Sequence, residues 1–221
     1  KPLLLCDDDR VIGSMFYLMS YMPGRVFWDP ALPGLSATQR GQVYAELIRV
    51  LAALHEVQPS EVGLSEYGKP GNYFQRQLGR WIKQYRAAET ENLPDMEAMI
   101  AWLPAQIPQD DGQISLIHGD YRLDNFIFDA DAIRVTAVLD WELSTLGHPL
   151  SDLAYSCMLY DVTSPKIGGI AGVDFAKAGI PTEDAFVAKY CERVGRDGVP
   201  DLSYYKAFSL FRLAAIAQGV Y

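Results

Sequence analysis

The chain has 221 residues, 49% of them hydrophobic and 21% charged, and carries a formal net charge of −9. Such a chain buries a full core, in one large domain or two small ones, and is not a disordered segment. The acidic excess argues against non-specific nucleic-acid binding, which needs a basic surface, although a local basic pocket can sit in an acidic protein. No apolar run is long enough to cross a bilayer, and the opening KPLLLCDDDR lacks a signal-peptide pattern. Cys6, Cys157 and Cys191 are far apart and free of metal-binding spacing, so ordinary buried thiols in a reduced, cytoplasmic compartment are expected, without zinc.

In chain order, residues 3–6 and 11–21 are apolar or aromatic runs split by DDDR, which predicts a hairpin with Asp7–Asp9 in its turn. Pro23 and Gly24 punctuate the end of that region. Ser36 or Thr38 caps a helix stopped by Pro59, with Val43, Leu47, Val50, Leu51 and Leu54 on one face. A second helix is predicted over 73–89, with Phe74, Leu78, Trp81, Ile82 and Tyr85 inward, and a third near 95–103, ended by Pro104. ISLI, FIF and IRVTAVLD are strand candidates, the last two joined by a DADA turn. SDLAYSCMLY, TEDAFVAKYCERVG (closed by Gly195) and residues 201–221 read as helices. Trp28, Trp81, Trp102 and Tyr85 read mostly as core, and His55 and His148 as packing or capping residues. The expected class is α+β: a sheet fragment, a Pro-Gly joint, and a larger helical domain with a β-hairpin inside it.

The chemistry concentrates in LIHGDYRLDNFIF, residues 116–128, where His118, Asp120 and Asn125 stand at the spacing H-x-D-x-x-x-x-N. Asn125 precedes one strand and Asp140 ends the return strand, and antiparallel pairing brings such positions to the same end of a hairpin. Hard oxygen ligands converging there suit Mg²⁺, which keeps several waters and shares substrate phosphates. Kinases use an Asp that accepts the proton of a substrate hydroxyl, an Asn five residues on, and a later Asp on the metal. Here these are Asp120, Asn125 and Asp140. Plainer roles stand beside them: a structural His118, a turn-forming Asp120, and a helix-start Asp152 favoured by the dipole. Glu142 reads as a second metal ligand, a support for Asp140 or an exposed ion pair, and Arg122 as an acceptor contact or a loop support.

These features resemble the aminoglycoside-phosphotransferase-like (choline-kinase-like) small-molecule kinases. More narrowly, the chain resembles the kinase-like N-terminal domain of acyl-CoA dehydrogenase family members ten and eleven and its stand-alone bacterial relatives. The similar segments are FYLMSYMPGRVFWDPALPGL, YFQRQLGRWIKQYRAAET, HGDYRLDNFIFD, AVLDWELSTLGHPLSDLAYSC and FSLFRLAAIAQGVY. The resemblance implies a protein-kinase-like fold, with residues 1–24 the end of an N-lobe and the interlobe hinge, and 25–221 the C-lobe. It implies Asp120 as catalytic base and Asn125 and Asp140 as metal ligands. His118 and Gly119 form the turn that presents the base, and Asp152 is a buried acceptor behind it. The backbone of Ser20 and Met22 would meet the adenine of ATP, with Met19 lining the back of that pocket. A phosphate-covering loop, a strand lysine and a helix glutamate are not found ahead of the hinge, so the chain by itself is expected to be incomplete for turnover. The implied activity is ATP- and Mg²⁺-dependent phosphorylation of a hydroxyl on a small molecule, such as a hydroxyacyl-CoA or related hydroxy acid. An aminoglycoside or amino-alcohol kinase and a non-catalytic nucleotide-binding domain are the alternatives. Neither a nucleic acid nor a membrane is an expected partner.

Overall fold

The computed structural model describes residues 1–163 and 168–220. Strands β1 (Pro2–Cys6) and β2 (Phe16–Met19) pair antiparallel, with Cys6 opposite Phe16 and Pro2 opposite Met19. Residues 11–15 lie in the connection rather than in the second strand. That connection is shaped by Asp8, whose carboxylate accepts from Arg10 Nε at 2.7 Å and from its terminal nitrogen at 2.6 Å. Adjacent strand residues point to opposite faces, so the exposure of Leu4 and Leu5 together leaves apolar surface on both sides of this hairpin.

The link that follows docks on the rest of the chain through Arg25. Its N–H donates to Phe128 O and its carbonyl accepts from Phe128 N–H, both at 2.8 Å. Its guanidinium donates to the carbonyls of Asp129 and Ala132. Beside it, a side chain on Gly24 would collide with the Phe128 carbonyl, so glycine permits the close approach.

Helix α1 (Ala37–His55) starts with a capping box, in which Ser36 Oγ accepts from Gln39 N–H and Gln39 Oε1 accepts from Ser36 N–H. It ends ahead of Pro59 with Glu56 as its cap. Val43, Leu47 and Leu51 are buried as predicted, but Val50 and Leu54 are only half-buried. The face is rotated toward Tyr44, Ile48 and His55 because the polar tips of Tyr44 and His55 find buried partners, Pro30 O for the former.

Helices α2 (Tyr73–Ala88) and α3 (Pro94–Ala105) follow. Ile82 is half-buried while Phe74, Leu78, Trp81 and Tyr85 are in the core. Pro104 lies within the last turn of α3 rather than beyond it, where a missing N–H removes only a terminal rung. Trp28 and Trp102 are not core: they are 76% and 43% exposed. Trp28 sits in the irregular link, and Trp102 lies on the outer side of α3 against Tyr204.

Four short strands lie between the helices. β3 (Ser115–Ile117) pairs with β6 (Thr145–Gly147), and β4 (Phe126–Phe128) with β5 (Val135–Val138). Helix α4 (Leu150–Cys157) passes into a 3₁₀ turn over Met158–Asp161, so the predicted helix through Tyr160 is split. The short α5 (Phe175–Ala178) precedes α6 (Glu183–Val194), which runs from Thr182 to a left-handed Gly195. Helix α7 (Leu202–Val220) packs across α2, α3 and α4, while α6 packs on α1. Tyr221, expected to end that last helix, lies outside the described residues.

His148 is buried at the start of α4, accepting from Leu150 N–H at 3.2 Å and bonding Asp111 at 3.0 Å. It is a cap, as predicted, and burial holds its pKa below the ordinary histidine value. Among the described residues, no helix is long and apolar enough to cross a membrane. Replacing Ser36 by Ala removes one half of the capping box and should cost about 1 kcal/mol. Equilibrium urea unfolding checks this, with the midpoint expected to fall and the slope to stay unchanged.

Candidate active site

The segment His118-Gly119-Asp120 forms a tight turn directly after β3, and one buried carboxylate holds it from behind. Asp152, on α4, accepts from His118 N–H at 2.6 Å and from Gly119 N–H at 2.8 Å. It also faces His55 Nε2 at 3.5 Å, and His55 Nδ1 meets the Tyr190 hydroxyl at 2.8 Å. Burial pushes the Asp152 carboxyl up, but His55 and the two backbone N–H groups outweigh that, and the group is held below its ordinary value. Gly119 has φ +86, and any Cβ there would press into the Leu143 backbone. The turn therefore requires glycine.

His118 carries the same constraint forward. Its Nε2 lies 2.7 Å from Leu139 O, and its Nδ1 accepts from Asp120 N–H at 3.2 Å. A carbonyl can only accept, so Nε2 bears the proton and the ring is in one tautomer. The ring ties the Asp120 turn to the end of β5, and Trp141 packs on it with centroids 4.8 Å apart. His118 thus ties the turn to the strand end through both ring nitrogens.

Asp120 is half-buried, and Asn125 Nδ2 donates to its carbonyl at 2.9 Å and to Oδ2 at 3.1 Å. This fixes the Asn125 amide and leaves its Oδ1 directed elsewhere. Phe126 faces Val138 in the β4–β5 ladder, and Leu139 N–H donates to Asn125 O at 2.8 Å. The start of one strand does lie beside the end of the other, with Asp140 the next residue. Asp140 is exposed and left-handed, with φ +63. Asn125 Oδ1 and the Asp140 carboxylate are hard oxygen donors on adjoining strand ends, and oxygen donors without thiolate or imidazole are of the kind Mg²⁺ takes.

The other predicted residues make contacts of their own. Arg122 forks onto Asp124, with both bonds at 2.9 Å, and so steadies its own loop. Glu142 is exposed on the edge of a separate cleft toward α2. Among the described residues, no three of His, Cys, Asp and Glu are grouped so as to hold a metal ion, so Asp120, Asp140 and Glu142 do not form one carboxylate ligand cluster. Met19 is 53% exposed at the end of β2, and Ser20 N–H donates to Lys1 O at 2.9 Å.

Sequence reasoning missed Arg212 and Tyr155. The Arg212 guanidinium donates to Gly119 O and lies between the rings of Trp81 and Tyr155, 5.3 and 4.9 Å from their centroids. Burial, then the charge of the nearby Asp120 carboxylate, pushes the Tyr155 hydroxyl well up. One signal was available: Arg212 is the lone charge in the run AFSLFRLAAIA.

The model of the phosphotransferase enzyme family called APH matches residues 1–194. The chain belongs to this family. Acyl-CoA dehydrogenase family member 10 of Mus musculus is 47% identical over 219 residues, covering 98% of this chain and 20% of that protein. Family member 11 of Homo sapiens is 42% identical over 224 residues, covering 100% of this chain and 28% of that protein. The chain thus spans less than a third of either relative. The crystal structure of an aminoglycoside-phosphotransferase-like protein from Ralstonia eutropha superposes with a TM-score of 0.93 at 51% identity, over 100% of this chain and 67% of that one. The protein-kinase-like α+β fold expected from the sequence is therefore the fold of this family member.

Asp152→Asn turns an amide toward backbone donors and breaks the pair with His55, and should cost about 3–5 kcal/mol in denaturant unfolding. Because the folded carboxyl is held low, its contribution is present above the unfolded value and is lost as pH falls through the folded one. Wild-type stability should drop as acid is added below about pH 4, and the variant should lose less over that interval.

Proposed function

We propose that this chain carries the catalytic face of an ATP- and Mg²⁺-dependent phosphotransferase acting on a hydroxyl group of a small molecule. One observation supports this most directly: Asp120 is gripped by Asn125, whose backbone is bonded to the strand end that leads into Asp140. Asp120 orients the acceptor hydroxyl and takes up its proton, and the Asn125 bond holds the carboxylate in one rotamer. A magnesium ion held by Asn125 Oδ1 and Asp140 would supply charge neutralisation on the donor phosphates. The rest is positioning, which phosphoryl transfer chiefly needs.

Residues 1–24 act in this reading as the end of an N-lobe and its hinge, and 25–221 as the C-lobe. Since Ser20 N–H is taken up by Lys1 O, adenine falls to the Ser20 carbonyl and the Met22 backbone, with Met19 behind. The names of the relatives point to acyl-CoA chemistry, which supports a hydroxyacyl-CoA or related hydroxy acid as the acceptor.

Two variants of the intact protein separate the roles. Asp120→Asn keeps the size of the side chain but removes the proton acceptor, so kcat should fall by about 10²–10⁴-fold with little change in ATP affinity. Asp140→Asn should weaken Mg-ATP binding along with the rate. Steady-state kinetics and nucleotide titration measure both. A kcat within a few-fold of wild type for Asp120→Asn would remove Asp120 as the base and the reading with it.

A further inference from the structure

Between α2 and residues 142–145 lies a cleft of about 200 Å³, whose lining includes Gln77, Arg80, Trp81, Glu142, Thr145 and Arg212. On the phosphotransferase reading, we propose that this cleft binds an anionic group of the acceptor: the carboxylate of a short hydroxy acid, or a phosphate of a coenzyme A carrier.

Arg212 carries the inference. It is 5% exposed, its hydrogen bond is to the Gly119 carbonyl, and its Nε is buried with no partner among the described residues. A buried cation without a counter-ion is costly, and the flanking Trp81 and Tyr155 rings offset only part of that. An anion in the cleft completes the pairing, and the planar guanidinium fork matches carboxylate and phosphate oxygens.

A second guanidinium stands at the mouth. Gln77, Arg80 and Trp81 share one face of α2 at helical spacing, and Arg80 Cζ lies 5.5 Å from the Trp81 ring centroid. Arg80 is exposed. Arg80 and Arg212 are opposed in the lining by one carboxylate, Glu142, so the cleft is net cationic within an acidic protein. An aminoglycoside or amino alcohol would bring a cation to a cationic wall.

The location suits an acceptor. Arg212 grips Gly119, the residue before Asp120, and the Tyr155 ring borders both the guanidinium and the Asp120 carboxylate. An anion held by Arg212 would anchor a short molecule beside the turn that carries the base.

The test uses the intact protein with Mg-ATP and three matched acceptors: a short ω-hydroxy carboxylate, its amide, and the amino alcohol of equal length. Where the anion is the acid's own carboxylate, the kcat/KM ratio of carboxylate to amide should be large in wild type. It should collapse by about ten- to a hundred-fold in Arg80→Gln, the range for hydrogen bonds to a charged group. Arg212→Gln should do the same but also loosens the turn, so the exposed Arg80 variant decides. Calorimetric titration of the hydroxy carboxylate and of coenzyme A, without nucleotide, gives a readout independent of turnover. If only coenzyme A binds, and Arg80→Gln weakens it, the anion is the carrier phosphate; if the free acid binds, it is the carboxylate. Neither ligand binding more tightly than the amide, or the ligand that binds being held as tightly by Arg80→Gln as by wild type, overturns the inference. Transfer to the amino alcohol, with neither the hydroxy carboxylate nor coenzyme A bound, would overturn it while leaving phosphotransfer standing. Anion binding without transfer to any acceptor would do the reverse.

Discussion

The site depends on one buried carboxylate. Asp152 has almost no contact with water, yet its oxygens meet two consecutive backbone N–H groups and an imidazole. Those donors fix the path of the chain at His118 and Gly119, and Asp120 follows without freedom to rotate away. His118, oriented by that path, passes the constraint to Leu139 O and so to the end of β5. A single charge, stabilised in an apolar interior by His55 and Tyr190, thereby sets the spacing between a turn and a strand end distant in sequence.

Separate elements hold the turn and line the cleft beside it. The support comes from α1, α4 and α6 through His55, Asp152 and Tyr190. The cleft comes from α2, the 142–145 segment and α7. Arg212 belongs to both, because it bonds the Gly119 carbonyl and lines the cleft.

Much of this was legible in the sequence where a residue type has a strong local meaning. Ser36 or Thr38 marked a helix start through a hydroxyl, and Ser36 is the cap; Gly195 marked a helix end through its left-handed backbone, and the H-x-D-x-x-x-x-N spacing placed Asn125 beside the Asp120 turn. The misses have physical reasons. β6 and α5 are too short to show a period, and β6 exists only because β3 pairs with it. The buried face of α1 was rotated because Tyr44 and His55 bury polar tips that find partners far along the chain. Periodicity sees hydrophobicity, not the partner. Arg212 was overlooked for the same reason: its meaning lies in the Gly119 carbonyl and two rings, brought near only by folding.

The docking of Arg25 has a mechanical consequence. Paired backbone bonds to Phe128 and a guanidinium clamped on Asp129 and Ala132 weld the chain to the β4–β5 hairpin from that residue onward. Gly24 is pressed against the same strand. Any swing of the β1–β2 hairpin must therefore pivot in the few residues from Ser20 to Pro23. Points on a pivot travel least and points far from it travel most. On the proposed reading, a purine at Ser20 and Met22 would sit on the pivot and stay nearly still while the outer end of the hairpin moves through a wide arc.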